Sequence, residues 1–232
     1  MAAGTTPIKP DIDMRLLRLL QLVSPALPVG AFAYSQGLEW VIETGRLRNA
    51  RQTLEWLSGI LHNGQARLDI PVLVRLYRSW RDRDRNIFAF WNRYLLAARA
   101  TAELQREDRS MGQALRRLLQ HLMPGRIANV PRGDISYAAM FAVAACNWQI
   151  PLGTACTGLL WAWAENQIAA AVKLVPLGQT QGQSILLQIA EQIPKAVETG
   201  LEVQNGDIGA ITPALSMASA KHETQHTRLF RS

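Results

Sequence analysis

The apolar residues of this 232-residue chain recur at helical spacing along most of its length, and no stretch alternates with period two for long enough to indicate a strand. The pattern predicts an all-α fold, a single-domain helical bundle of about eight to ten helices. We expect the helical domain to span residues 11–203. A polar arm, residues 1–10, precedes it and is expected to be flexible, and residues 204–232 form a tail expected to order when it binds a partner.

Capping residues and glycines place the first helices. The first begins after Asp11 or Asp13, either of which can cap it, and its apolar residues share one face: Ile12, Leu16, Leu19, Leu20 and Val23. A second helix is predicted over about 35–44. A third is predicted to begin near Ala50, with Asn49 as its cap.

Two prolines are expected to disturb the helices that follow. Pro71 should divide the segment after the third helix, and Pro194 should kink the last long helix. The remaining helices are predicted over about 85–107, 110–122, 135–146, 152–175 and 179–203.

The longest apolar region, residues 135–178, holds one acidic residue, Glu165, and one basic residue, Lys173. Polar residues at 147–149 and 165–167 interrupt it before about 20 apolar residues accumulate, so it predicts a central buried helix pair rather than a membrane hairpin. The two cysteines, Cys146 and Cys156, have no metal-binding spacing and are expected to be buried thiols. The polar N-terminal residues do not resemble a signal peptide, and we expect a cytoplasmic protein.

The formal charge of +7 is concentrated in one region. Residues 75–132 contain 13 arginines against five acidic residues, a local charge of +8, while the rest of the chain sums to −1. This pattern favours a solvated helical face or a surface for an acidic protein partner. A nucleic-acid-binding helical protein is the weaker alternative, because the region has no helix-turn-helix spacing and no interleaved aromatic residues for stacking bases.

The end of the chain contains an H-E-x-x-H string, residues 222–226, that is typical of zinc peptidases. The alternative function is therefore a zinc metallopeptidase using His222, Glu223 and His226. Only six residues follow His226, and neither His62 nor His121 belongs to a motif that would mark a third ligand. The context of the string does not support this alternative.

Three blocks of sequence occur together, in order and in register. They are SPALPVGAFAYSQGLE at 24–39, WAWAENQIAAAVKLVPLGQTQGQ at 161–183, and the tail HETQHTRLFRS at 222–232. In this combination the chain closely resembles the UreF family of urease accessory proteins, over about residues 16–232. Relatives usually carry Tyr where this chain has His226, so the zincin-like string resembles a single substitution on a family tail.

The resemblance implies a non-enzymatic helper in the maturation of urease, a homodimer without tightly bound cofactor through which nickel passes transiently. The implied partners are a urease-binding accessory protein of the UreD/UreH type, a nickel-binding GTPase of the UreG type and the urease apoprotein. No nucleic acid or membrane is implied. The residues expected to face partners lie in the three blocks: Glu39, Lys173, His222, Glu223, Thr224, Arg228, Leu229, Phe230, Arg231 and Ser232.

Overall fold

The computed structural model describes residues 13–232, which form a bundle of ten α-helices without strands in that range. The predicted all-α fold is confirmed. The predicted arm at 1–10 and a cap at Asp11 lie outside the described residues. The helices are α1 Met14–Val23, α2 Leu38–Glu43, α3 Ala50–Ile60, α4 Ile70–Arg81, α5 Arg85–Ala98, α6 Ala102–Leu122, α7 Tyr137–Asn147, α8 Leu152–Leu174, α9 Gln179–Glu202 and α10 Pro213–His222.

The core forms around α7, which is buried on all sides between α4, α6 and α8. Small residues such as Ala139, Ala142 and Ala145 let these neighbours approach it closely. The prediction of a central buried helix pair is confirmed for α7. Helix α8 is also largely buried from Gly158 to Ile168 and packs against α9, and its exposed residues lie mainly near its two ends. No helix within residues 13–232 has the length and hydropathy that crossing a bilayer requires.

The predicted break at Pro71 is wrong, because the helical run continues through it. A π-helical segment, Leu61–Asp69, connects α3 directly to α4 and places Pro71 in the first turn of α4. Proline has no N–H, so the Arg67 carbonyl one turn before it needs another donor. Gly209 N donates to it at 3.1 Å. This hydrogen bond joins the segment before α10 to the helical segment before α4.

Other helix boundaries also differ from the predictions. α5 ends at Ala98, where a helix to residue 107 was expected, because the Thr101 side chain accepts a hydrogen bond from Leu104 N and begins α6. Helix α9 runs as one element through Pro194, as predicted, and the kink expected there stays a prediction. The predicted caps at Asp13 and Asn49 are confirmed, since each side chain accepts a backbone N–H of its helix.

The apolar face predicted for α1 is only partly covered. Leu19 and Val23 pack against the core, whereas Leu16 and Leu20 lie in solvent, together with Met14 and Leu17. These four side chains are 49–54% exposed. The helix therefore presents an apolar surface on the outside of the single chain.

Candidate functional site

The loop before α2 is shaped for a close approach by α10. Gly37 has φ 78°, a left-handed conformation that glycine adopts at low cost. A Cβ atom at this position would lie 2.7 Å from the backbone nitrogen of Ser219 in α10. Glycine at 37 therefore serves both the turn and the contact, and it brings the C-terminal residues onto α2.

Beyond α10, the last residues of the chain lie across this loop. Arg231 N donates to the Ala33 carbonyl at 2.8 Å, and Ser35 N donates to the main-chain oxygen of Ser232 at 2.8 Å. The Ser35 hydroxyl donates to the same oxygen at 2.6 Å. Phe230 is 5% exposed and belongs to the hydrophobic core. In this structure the tail is packed against its own chain.

Glu39 holds the tail through its backbone. One carboxylate oxygen accepts from Leu229 N at 2.7 Å, and the other accepts from Phe230 N at 2.9 Å. The second oxygen also faces His222 Nε2 at 3.2 Å. Because Glu39 is buried, these partners replace the water that its charge would otherwise need. The residue expected to face a partner is instead occupied within the chain.

His222 joins two carboxylates at the centre of the cluster. It is fully buried, with Nε2 toward Glu39 and Nδ1 2.8 Å from Glu103 Oε2. Each ring nitrogen of His222 thus has a carboxylate oxygen as its partner. Arg228 Nη1 lies 2.7 Å from the other oxygen of Glu103. The buried carboxylates of Glu39 and Glu103 therefore each have partners within the chain, as buried charges require.

Glu107, one turn after Glu103 on α6, also contacts the tail. Its oxygens accept from Gln36 Nε2 and from the Ser232 hydroxyl, both at 2.7 Å. Burial raises the pKa of Glu107 to about 7, although both hydrogen bonds lower it. Gln36 has φ 54° and also accepts from Trp163 Nε1 at 3.1 Å. This left-handed conformation at a non-glycine residue is held by side-chain contacts on both sides.

The structure separates the predicted partner-facing residues into two groups. His222, Phe230, Ser232 and Glu39 are buried, and Glu223 is half-buried and accepts from Glu103 N at 2.9 Å, capping α6. The remaining residues are exposed, although Arg228 also pairs with the buried Glu103: Lys173, Thr224, Arg228, Leu229 and Arg231.

Lys173, Leu229 and Arg231 form what we call the tail surface. Lys173 Nζ lies 5.8 Å from the centroid of the Phe230 ring, so α8 and the tail meet there. Leu229 is 68% exposed and directly precedes the buried Phe230. The buried Phe230 therefore fixes the position of the exposed residues beside it. Whether these residues contact a partner stays a prediction.

The geometry of the H-E-x-x-H string does not match a zinc peptidase. Helix α10 ends at His222, so His226 is not one helical turn further along the same helix. Both ring nitrogens of His222 already face carboxylates, and His226 is exposed. Within residues 13–232 no group of three or more His, Cys, Asp or Glu side chains is arranged to hold a metal ion. The arrangement of the described residues therefore does not support the peptidase alternative.

Sequence reasoning missed Glu103 and Glu107, although a signal was present. They lie four residues apart on α6 and so share a face, and they belong to the few acidic residues in the arginine-rich region. Both are buried. Acidic residues with helical spacing in a basic helix indicate an inward, paired face.

Comparison with known proteins gives consistent matches. A family model described as UreF matches residues 47–190. A protein named urease accessory protein UreF from Alkalilimnicola ehrlichii is 46% identical over 229 residues, covering 98% of this chain and 100% of the relative. Relatives with the same name from Marinobacter nauticus and Psychrobacter cryohalolentis are 43% and 46% identical, covering 99% and 95% of this chain and 100% and 95% of their own lengths.

Proposed function

The chain belongs to the UreF family of urease accessory proteins, and from that premise we propose that it bridges two partners during urease maturation. One is a urease-binding accessory protein of the UreD/UreH type, and the other is a nickel-binding GTPase of the UreG type. The observation that supports the proposal is the tail, in which Phe230 and Ser232 are buried against the chain while Leu229 and Arg231 are exposed to solvent.

The tail surface suits contact with another protein for two reasons. An exposed leucine beside charged side chains supplies an apolar anchor with directional polar contacts around it. Its backbone is already fixed by Glu39 and Ser35, so binding would cost little conformational entropy. We assign the tail surface to the urease-binding accessory protein.

Capture of that accessory protein by purified variants tests the assignment. Leu229→Asp changes an exposed side chain and should weaken capture by about tenfold or more while leaving the thermal midpoint unchanged. Leu187→Asp is the matched control, because Leu187 is 64% exposed on α9 and outside the tail surface. Full capture by Leu229→Asp would show that the tail surface is not the contact.

Removing residues 221–232 is a less specific test. We expect the truncated chain to lose capture as well, but it also loses the buried Phe230 and leaves Glu39 and Glu103 without their partners. The truncation therefore removes part of the core as well as the tail surface. Comparing the truncation with Leu229→Asp separates loss of contact from loss of stability.

We propose that the apolar face of α1 is covered by a second copy of the chain, giving a homodimer. The four side chains left exposed there form a continuous apolar surface, which single soluble chains rarely present. Leu16→Arg should convert the dimer to a monomer in light scattering coupled to gel filtration, whereas Leu187→Arg should not. An unchanged mass for Leu16→Arg would exclude this face.

Nickel is proposed as cargo rather than as a resident cofactor. A cavity of about 240 Å³ is lined by residues of α6, α8, the loop before α2 and the segment before α4, and the lining includes Asp69, Glu107, Asp108 and Glu165. Arg99 also lines this space and pairs with Asp69 and Asp108, so Glu107 and Glu165 are the carboxylates that we propose to pass a divalent cation without a fixed site. Glu107→Gln should slow urease activation in a reconstituted system while the fold is retained, and unchanged activation would argue against passage here.

A further inference from the structure

A second cavity, of about 600 Å³, opens where α4 is followed by α5, away from the tail. Four arginines contribute to its lining: Arg81, Arg83, Arg85 and Arg126. The one carboxylate in the lining belongs to Asp84, and its Oδ1 already accepts from Ile87 N at 2.9 Å. The lining therefore carries an excess of positive charge, and the cavity volume lies in the range of about 300–1,000 Å³ that small-molecule sites occupy.

Three of these arginines have no protein partner in the described part of the chain. Arg81 pairs with Asp82 at 2.9 Å. Among residues 13–232, no carboxylate lies within 4.0 Å of the side-chain nitrogens of Arg83, Arg85 or Arg126, and these side chains make no hydrogen bond. Like charges around one concave opening repel each other, and an anion bound between them would remove that repulsion.

Arg83 occupies a position that the backbone would give to glycine. Helix α4 ends in a Schellman motif, in which Arg83 N donates to the Trp80 carbonyl at 3.1 Å and Asp84 N donates to the Ser79 carbonyl at 2.9 Å. The residue after the C-cap must be left-handed, and Arg83 has φ 60°. Glycine adopts this conformation without strain, whereas arginine does not.

The helix dipoles do not explain these arginines either. The last turn of α4 already carries Arg78 and Arg81, so its carbonyl end has favourable charge without Arg83. Arg85 is the first residue of α5, where a positive charge lies at the positive end of the dipole. Two arginines thus stand where local structure disfavours them, and both line the same cavity.

We propose that this cavity binds a phosphate-bearing small molecule. Planar guanidinium groups bind phosphate oxygens through paired hydrogen bonds, and Arg83, Arg85 and Arg126 supply three such groups around one opening. The lining also contains the half-buried ring of Trp80, which packs on the buried ring of Phe88 with the centroids 5.3 Å apart, so an apolar or aromatic part of an organic phosphate would find a matching surface on Trp80. This site is independent of the tail surface.

Titration calorimetry of the full chain with pyrophosphate, ADP and adenosine at low salt tests the site. Pyrophosphate and ADP should bind with micromolar to submillimolar affinity, weakening as salt rises, and adenosine should bind much more weakly. Tighter binding of ADP than of pyrophosphate would identify an organic phosphate that uses Trp80, and equal binding would identify the phosphate groups alone. Absence of binding by both phosphates overturns the proposal.

Arg83→Gly gives the decisive variant, because stability and binding should change in opposite directions. Glycine relieves the left-handed conformation and should raise the thermal midpoint by about 2–4 °C. Loss of one guanidinium should weaken phosphate binding by about tenfold. Arg93→Ala is the matched control, since Arg93 is an exposed arginine of α5 outside the cavity. Equal weakening by Arg93→Ala, or none by Arg83→Gly, would place any bound phosphate elsewhere.

Discussion

Replacing Glu39 by alanine should release the tail and destabilise the protein. The carboxylate accepts hydrogen bonds from Leu229 N and Phe230 N and faces His222 Nε2. Truncation leaves two amides and an imidazole without an acceptor, and each unpaired buried group costs about 1–3 kcal/mol. The tail can limit this cost by moving into water, which gives up the burial of Phe230, worth about 1.5–3 kcal/mol. We therefore expect the free energy of unfolding to fall by about 3 kcal/mol.

Hydrogen exchange followed by NMR, together with urea unfolding, measures both consequences. In Glu39→Ala the amides of Leu229 and Phe230 should exchange at least 100-fold faster, because their acceptor is lost. Glu43→Ala is the control: Glu43 is an exposed residue one turn along the same helix, and its carboxylate accepts a hydrogen bond from the half-buried Gln225 side chain. It should change stability by less than about 0.5 kcal/mol. Unchanged protection of both amides in Glu39→Ala would refute the anchoring role of Glu39.

Three further predictions concern single side chains. Burial raises the pKa of Glu107 from its ordinary 4.5 to about 7, so the folded state gains stability from protonated Glu107 below pH 4.5 and loses about 3 kcal/mol of it as the pH rises to 7. Urea unfolding at pH 5 and 8 should show this loss in the parent and not in Glu107→Gln. An equal change in unfolding free energy between the two pH values in both proteins would contradict the prediction. His226→Tyr should leave the thermal midpoint unchanged, and the parent should contain well under one equivalent of zinc, whereas stoichiometric zinc lost in the variant would revive a metal role. Lys173→Ala removes an exposed charge and should lower urease activation without a shift in the thermal midpoint. Normal activation would show that Lys173 takes no part in partner binding by the tail surface.

The periodicity of the apolar residues was sufficient for the fold class and for several helix ends. Asp13 and Asn49 cap their helices as predicted, because a cap depends on residues within one turn of it. Pro71 was misread because its effect depends on distant atoms. The π-helical segment before it and the Gly209 N–H on the Arg67 carbonyl both come from the tertiary fold.

The sequence also identified the blocks that form the site, but it did not show which residues of each block would be buried. Glu39 and His222 were recognised as parts of significant blocks, yet they are 183 residues apart, and nothing local shows that one binds the other. Their pairing requires α2, α6 and α10 to meet, which Gly37 permits by letting backbone approach backbone. Local pattern therefore determined the helices and the family. Long-range packing alone decided that the tail's carboxylate partners lie within the chain, leaving Leu229, Arg231 and Lys173 on the outside.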